Sequence, residues 1–162
     1  MMVSAAAHAA DHRDLFPFLI DLPGWDAGEP TGVTVTTGTS ARTVTAEREY
    51  TKGDKRLHVV ILSGDMAGPV TVYFSPQFNL MISTGAGKDL VVRSLAVKGR
   101  PARVFIDRAN RSINLYILLS RTLEPGRAVF MGFSFENVGY NEAISIVNRF
   151  PIHRASRIAG RL

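Results

Sequence analysis

The sequence predicts an α+β fold, with a single antiparallel β-sheet of about six strands and two main helices packed on it. Two observations lead to this prediction. Segments in which apolar and polar residues alternate recur along the chain, and short turn sequences rich in Gly, Pro, Asp and Asn separate them. Helical spacing of apolar residues occurs near residues 75–83 and again over residues 137–150.

The predicted strands are segments with the alternation of a half-buried strand. They are Thr43–Tyr50, Arg56–Ser63, Leu90–Val97, Ala102–Asp107, Ser112–Ser120 and Ala128–Phe135. Between the first two, Lys52-Gly53-Asp54-Lys55 predicts a hairpin turn in which Gly53 takes a positive φ. Arg48 falls on the apolar side of its strand, where we expect its stem to pack and its head to reach water. The Gly-, Thr- and Ser-rich segment Asp26–Arg42 fits either a weak edge strand or a flexible loop.

The first helix is predicted over Ser75–Ser83, with Pro76 in its first turn. The preceding segment Val70–Phe74 fits a strand or a helix, and the sequence leaves both open. The second helix follows Asn137, a good N-cap residue, and ends before Pro151. Its apolar stripe is expected to pack on the sheet and consists of Tyr140, Ala143, Ile144, Val147 and Phe150.

One domain accounts for the chain of 162 residues. Apolar residues make up 46% and charged residues 20% of the sequence, a composition typical of a folded protein. We expect a disordered tail or signal-peptide remnant at residues 1–14, a single α+β domain at residues 15–152, and a basic C-terminal tail at residues 153–162. Trp25, in the turn after Leu22, is expected to anchor that turn on the core.

Residue types exclude several kinds of site. The chain has no cysteine, which rules out disulfides, zinc–thiolate sites, iron–sulfur clusters and a cysteine nucleophile. It also lacks the G-x-S-x-G, S-x-x-K, H-E-x-x-H and phosphate-loop motifs. The sequence therefore assigns no catalytic, cofactor-binding or metal-binding residue. A cluster of acids or histidines formed only in three dimensions is left open.

The N-terminal residues Met1–Ala10 point to export. They are rich in alanine, and Ala7-His8-Ala9 is an A-x-A pattern of the kind that signal peptidase recognises. A basic start and a full apolar core, which a complete signal also needs, are missing from this segment. We therefore interpret it as a signal-peptide remnant and predict a periplasmic or secreted protein. The alternatives are an alanine-rich disordered tail and a cytoplasmic protein.

The charge distribution points to an anion contact near the C-terminus. The net charge is +5, and residues 153–162 contain arginines but no acidic residue. Arg154, Arg157 and Arg161 are therefore candidate contacts for an anion or an anionic surface. The alternative is a solvated terminus. Specific nucleic-acid binding is not expected, because it would require a larger basic face with interleaved aromatic residues.

Two segments carry a resemblance to known proteins. Leu22-Pro23-Gly24-Trp25-Asp26-Ala27-Gly28-Glu29-Pro30 and Tyr50-Thr51-Lys52-Gly53-Asp54-Lys55-Arg56-Leu57 resemble recurrent segments of a family of uncharacterised exported bacterial proteins. The order of elements also resembles the PsbP-like architecture, an antiparallel sheet flanked by helices. The resemblance covers most of residues 15–151. It implies export and this fold, and it carries over no catalytic residue because the shared motifs are structural.

Together these observations favour a non-enzymatic exported domain that binds a protein partner or supports a process of the cell envelope. The alternative is a small-ligand carrier that uses the gap between the sheet and the helices. A hydrolase is the third hypothesis, and it predicts carboxyl groups with perturbed pKa values that converge in a cleft. No cofactor is expected under any of the three.

Overall fold

A single β-sheet dominates the computed structural model of this protein, which describes residues 10–37, 41–79 and 89–162. The eight strands in these residues are β1 (Asp26–Ala27), β2 (Thr31–Thr37), β3 (Ala41–Lys52), β4 (Lys55–Ser63), β5 (Leu90–Val97), β6 (Arg100–Asp107), β7 (Ser112–Leu118) and β8 (Val129–Glu136). Their order across the sheet is β1-β3-β4-β8-β7-β6-β5, and β2 also pairs with β3. Their pairings are antiparallel, which confirms the predicted α+β class.

Two of these strands enlarge the sheet beyond the predicted size of about six strands. β1 and β2 both lie along the edge of β3 that faces away from β4. β2 settles the choice that the sequence left open between an edge strand and a loop. Its side chains are almost all exposed, so no buried alternation marks the strand in the sequence. Its backbone is held by pairing with β3, from Thr31 opposite Glu47 to Thr37 opposite Ala41.

One face of the sheet, here called the inner face, carries the main core. Alternate residues of the central strands point to it, and the buried ones include Val59, Ile61, Leu115, Phe133 and Phe135. A 3-10 helix (His12–Phe18) and the C-terminal helices cover this face. Phe150 meets Phe133 edge to face, with the ring centroids 5.0 Å apart. Each large apolar side chain buried in this way stabilises the fold by roughly 1.5–3 kcal/mol.

The opposite face, here called the outer face, is partly covered by the connection after β4. This connection contains a 3-10 helix (Gly64–Ala67), α1 (Gly68–Thr71), a second 3-10 helix (Val72–Phe74) and helical residues 76–79. Val70 and Phe74 pack in one apolar cluster with Phe130 of β8. The segment Val70–Phe74, which the sequence left open, is therefore helical. The predicted helix Ser75–Ser83 lies in part outside the described residues.

Two helices follow β8: α2 (Tyr140–Val147) and α3 (Ile152–Ile158), with a 3-10 turn after them (Ala159–Arg161). The predicted apolar stripe of α2 is confirmed, since Ala143 and Val147 are buried against the inner face. The predicted N-cap is wrong, because α2 begins after Gly139. Asn137 instead has a φ of 58°, and its side-chain amide donates to the carbonyl of Asp54 at 2.9 Å.

Residues 153–162, predicted as a basic tail, belong to the packed structure. α3 buries Ile152 and Ala155, and Ala159 after it is buried as well. Spacings of three and four residues put these side chains on one face of the helix. Arg154 and Arg157 lie on its exposed side. The helix is short and fully buries only Ile152 and Ala155, so the arginines dominate its pattern in the sequence.

Arg48 ties the N-terminal segment to the sheet. Its guanidinium donates to the carbonyls of Leu19 at 2.6 Å and Gly28 at 2.7 Å, and to Asp21 Oδ1 at 2.7 Å. The side chain of Arg48 is only 13% exposed. The head therefore lies at the protein surface, where protein acceptors bind it. The segment before β2 folds over the edge of β3 and supplies the acceptors that water would otherwise provide.

Tyr50 and Trp25 complete this attachment. The hydroxyl of the buried Tyr50 donates to the carbonyl of Ile20 at 2.9 Å, and burial raises the pKa of Tyr50 to about 12. Trp25 packs half-buried against the core, as predicted. Asp11 caps the 3-10 helix that starts at His12, so part of the predicted tail at residues 1–14 is structured. The signal-peptide remnant itself lies outside the described residues.

No helix among the described residues is long and apolar enough to span a membrane.

Candidate anion-binding cleft

A cleft of about 670 Å³ lies where the loop after β7, the start of β6 and the C-terminal end of α3 come together. We call it the arginine cleft, because it is lined by the arginines Arg100, Arg121, Arg127 and Arg157. Arg121 and Arg127 come from the same loop, whereas Arg100 and Arg157 come from distant parts of the chain that the fold brings to it. The described lining residues include no aspartate or glutamate.

Tight turns position Arg100 and Arg127. Arg100 begins β6 directly after a turn in which Lys98 and Gly99 have φ values of 48° and 74°. Arg127 follows Gly126, whose φ of 76° is a conformation that glycine adopts at little cost. The amide of Arg127 donates to the carbonyl of Glu124 at 3.0 Å, which closes the turn before β8. Turns at the end of the sheet therefore set the backbone positions of both arginines.

Arg157 is positioned by the packing of α3. The burial of Ile152 and Ala155 fixes the rotation of this helix against the core. Arg157 lies in its last turn, where a cation also interacts favourably with the helix dipole. Arg157 thus faces the loop that carries Arg121.

The electrostatics of the cleft favour an anion. Arginine is protonated at any physiological pH, and its planar guanidinium binds carboxylate or phosphate through paired hydrogen bonds. The nearest ion pair joins Arg127 to Glu124, with Nη1 and Oε2 3.2 Å apart. Both side chains are largely exposed, so this pair stabilises little and competes weakly with a ligand.

The serine hydroxyl groups of the cleft form hydrogen bonds with the backbone. Ser120 Oγ donates to the carbonyl of Thr122 at 2.8 Å and accepts from the amide of Val129 at 3.0 Å. Ser156 Oγ donates to the carbonyl of His153 at 3.0 Å. No histidine or carboxylate side chain stands among the described lining residues to activate either serine. The arrangement can bind an anion, and these contacts give it no activated nucleophile.

The sequence-predicted anion contacts divide between this cleft and the surface. Arg157 lines the cleft, whereas Arg154 and Arg161 are exposed and are not among its lining residues. Whether an anion contacts any of the three stays a prediction. Arg100, Arg121 and Arg127 were not predicted, because each looks like an ordinary turn residue in its own segment.

Other titratable groups among the described residues make structural contacts and do not converge on one site. On the outer face, His58 Nε2 lies 3.0 Å from Glu47 Oε2, and both side chains are well exposed. Hydrogen bonds from the backbone of Arg13 and of Asn110 lower the pKa values of Asp11 and Asp107, respectively. Such shifts are typical of caps and turns. The described residues hold no group of three or more His, Asp or Glu arranged to bind a metal ion.

Comparisons of the chain with protein-family models, with curated proteins and with solved structures found no match. Function must therefore be inferred from the side chains of the arginine cleft and from the surfaces around it.

Proposed function

We propose that this protein is a non-enzymatic binding domain that takes an anionic group into the arginine cleft. The observation that carries the proposal is that four arginines line one cleft whose described lining has no aspartate or glutamate side chain. Positive charges that line one cleft repel one another, and a bound carboxylate or phosphate relieves that repulsion. A surface built only for solubility would intersperse both signs of charge.

The size of the cleft favours a small ligand. A volume of about 670 Å³ falls within the range of small-molecule sites. This supports the carrier alternative, with the ligand at the rim of the gap between sheet and helices. The interior of that gap is filled by core side chains such as Met131, Phe133 and Phe150, which are almost completely buried.

The same chemistry suits an acidic segment of a partner protein. In this proposal, a protein-binding or envelope-supporting role consists of binding such a segment. Export to the periplasm or beyond belongs to the proposal as well. It is supported by the A-x-A pattern at Ala7-His8-Ala9 and by the resemblance to exported bacterial proteins. The antiparallel α+β fold is compatible with the PsbP-like architecture, which stays a proposal.

The test is a titration followed by NMR amide shifts, with citrate, inorganic phosphate and a hexaglutamate peptide as separate probes. A free anionic ligand is indicated if citrate or phosphate binds more tightly than the peptide, and an acidic protein segment if the order is reversed. Either way, the shifted amides should lie in the loop after β7, at the start of β6 and in α3.

A matched pair of variants tests whether the cleft is responsible. Arg121→Gln/Arg157→Gln removes two charges inside the cleft, and Arg154→Gln/Arg161→Gln removes two charges outside it. We expect the first variant to weaken binding by about tenfold or more, because each lost charged hydrogen bond contributes about 1.5–3 kcal/mol. The second should change it by about twofold at most. Equal weakening by both variants would show diffuse attraction to a basic protein and would refute the proposal.

A further inference from the structure

The outer edge of β2 is an open strand edge. Among the described residues β2 is hydrogen-bonded to β3 alone, so the backbone groups on its other side have no strand to pair with. Natural proteins usually protect such an edge with lysine, proline or a bulge inside the strand. The sequence of β2, Thr-Gly-Val-Thr-Val-Thr-Thr, contains no charged residue and no proline.

The side chains of β2 add apolar surface to this edge. Val33 is 49% and Val35 is 47% exposed, which is unusual for valines in a strand. Their partners on β3 are Thr45 and Thr43, so both valines point to the outer face. The two exposed side chains therefore form a short apolar row beside the open backbone edge.

The inner side of β2 is held in place. The backbone amide of His12 donates to Thr34 Oγ1 at 3.0 Å, and Gly32 lets His12 approach closely on the same side. The strand is thus held by β3 at one edge and by the N-terminal 3-10 helix on its inner face. A fixed strand loses little conformational freedom when a further strand pairs with it.

We propose that β2 pairs with β2 of a second copy of this chain to form a two-fold symmetric dimer. An antiparallel pairing centred on Thr34 places Val33 of each copy opposite Val35 of the other. Two valine–valine pairs then form on the outer face, and the unpaired backbone groups of both edges bond to each other. The sheet becomes continuous across the dimer.

The symmetry and the charge of β2 argue for a second copy rather than another partner. The two exposed valines flank Thr34, so pairing two copies about Thr34 brings each valine opposite a valine. The strand is neutral although the chain carries a net charge of +5. Two copies can therefore pair here without placing like charges opposite each other. The opposite edge of the sheet, β5, carries Arg93 within the strand.

The test is sedimentation velocity of the full chain over a wide range of concentration, at physiological ionic strength. The wild-type protein should form dimers as concentration rises. Val33→Lys/Val35→Lys and Val33→Glu/Val35→Glu should each raise the dissociation constant by about tenfold or more, because like charges then lie opposite each other twice. Val72→Lys, at an equally exposed valine (52%) outside β2, should leave the dimer unchanged.

Mixing the two double variants gives the decisive result. The pairing places lysine opposite glutamate, so the mixture should recover the dimer, whereas the lysine variant mixed with Val72→Glu should not. Circular dichroism confirms that each variant is folded. A wild-type protein that stays monomeric at every soluble concentration would overturn the proposal. This holds even if β2 pairs with a different partner. A dimer that survives both double substitutions would overturn it as well.

Discussion

The buried Tyr50 predicts a loss of stability in alkaline solution. Its pKa is about 12 in the folded protein, against an ordinary value of 10.0. Burial causes the shift, because the phenolate would lose its hydration inside the core. Between these two values the unfolded chain has released the proton while the folded chain still holds it. The free energy of unfolding therefore falls by about 1.4 kcal/mol per pH unit, or roughly 2–3 kcal/mol over the window.

Urea unfolding at a series of pH values measures this loss. Fluorescence of Trp25, the only tryptophan, reports the transition because its side chain packs against the core. The ionisation of Tyr50 should change the free energy of unfolding little below about pH 9. From about pH 10 upward it should lower that free energy steeply. Tyr116, whose pKa is also raised by burial, adds a smaller contribution of the same sign.

Tyr50→Phe is the control for that prediction. It removes the titrating hydroxyl and its hydrogen bond to Ile20, so stability at neutral pH should fall by about 1 kcal/mol. Above about pH 10 the variant should lose less stability than the wild-type protein. If the two proteins have parallel pH curves, Tyr50 does not carry the effect and its ionisation is not opposed by burial.

Two further substitutions test the backbone contacts that attach one segment to another. Arg48→Ala should lower the free energy of unfolding by about 3 kcal/mol, because it leaves two main-chain carbonyls without their charged donor. Asp21→Asn should cost less than about 0.5 kcal/mol, since Asp21 is 87% exposed, and equal losses in urea unfolding would contradict this assignment. Gly64→Ala should cost about 2 kcal/mol or more in the same assay, because Gly64 has a φ of 61° and a Cβ there would collide with the carbonyl oxygen of Arg42. Gly68→Ala, where a Cβ meets open space, should be nearly neutral, and a similar loss at both glycines would exclude strain as the cause.

The central strands could be predicted because their inner-face residues are buried at every second position. In β8, Met131 and Phe133 are buried on the inner face, while Gly132 leaves room on the outer face for the ring of Tyr116. That arrangement produces the period of two that the sequence shows. β2 and α3 were harder to predict, because β2 buries almost nothing and α3 fully buries only Ile152 and Ala155. Their structure depends on pairing and packing with distant segments rather than on a local pattern.

Most of the arginine cleft could not be predicted from the sequence, for a related reason. Arg157 stood out only because its neighbours in the chain include other arginines and no acid. Arg100 and Arg127 are each beside a glycine in a turn, where a charged residue needs no special explanation. Their convergence is a property of strand order, since β6 and β7 are neighbours and α3 returns to the same end.

The ladder between β4 and β8 bears on the order in which the chain folds. β5 to β8 form consecutive antiparallel neighbours, so their pairings are local in sequence and need only short loops to close. β4 is different, because it pairs with β8 across the whole segment from Gly64 to Ala128. Closing such a long loop costs more entropy and is slow. During synthesis, the β4 edge of the β3–β4 hairpin therefore stays unpaired and one apolar face stays exposed until β8 has been made.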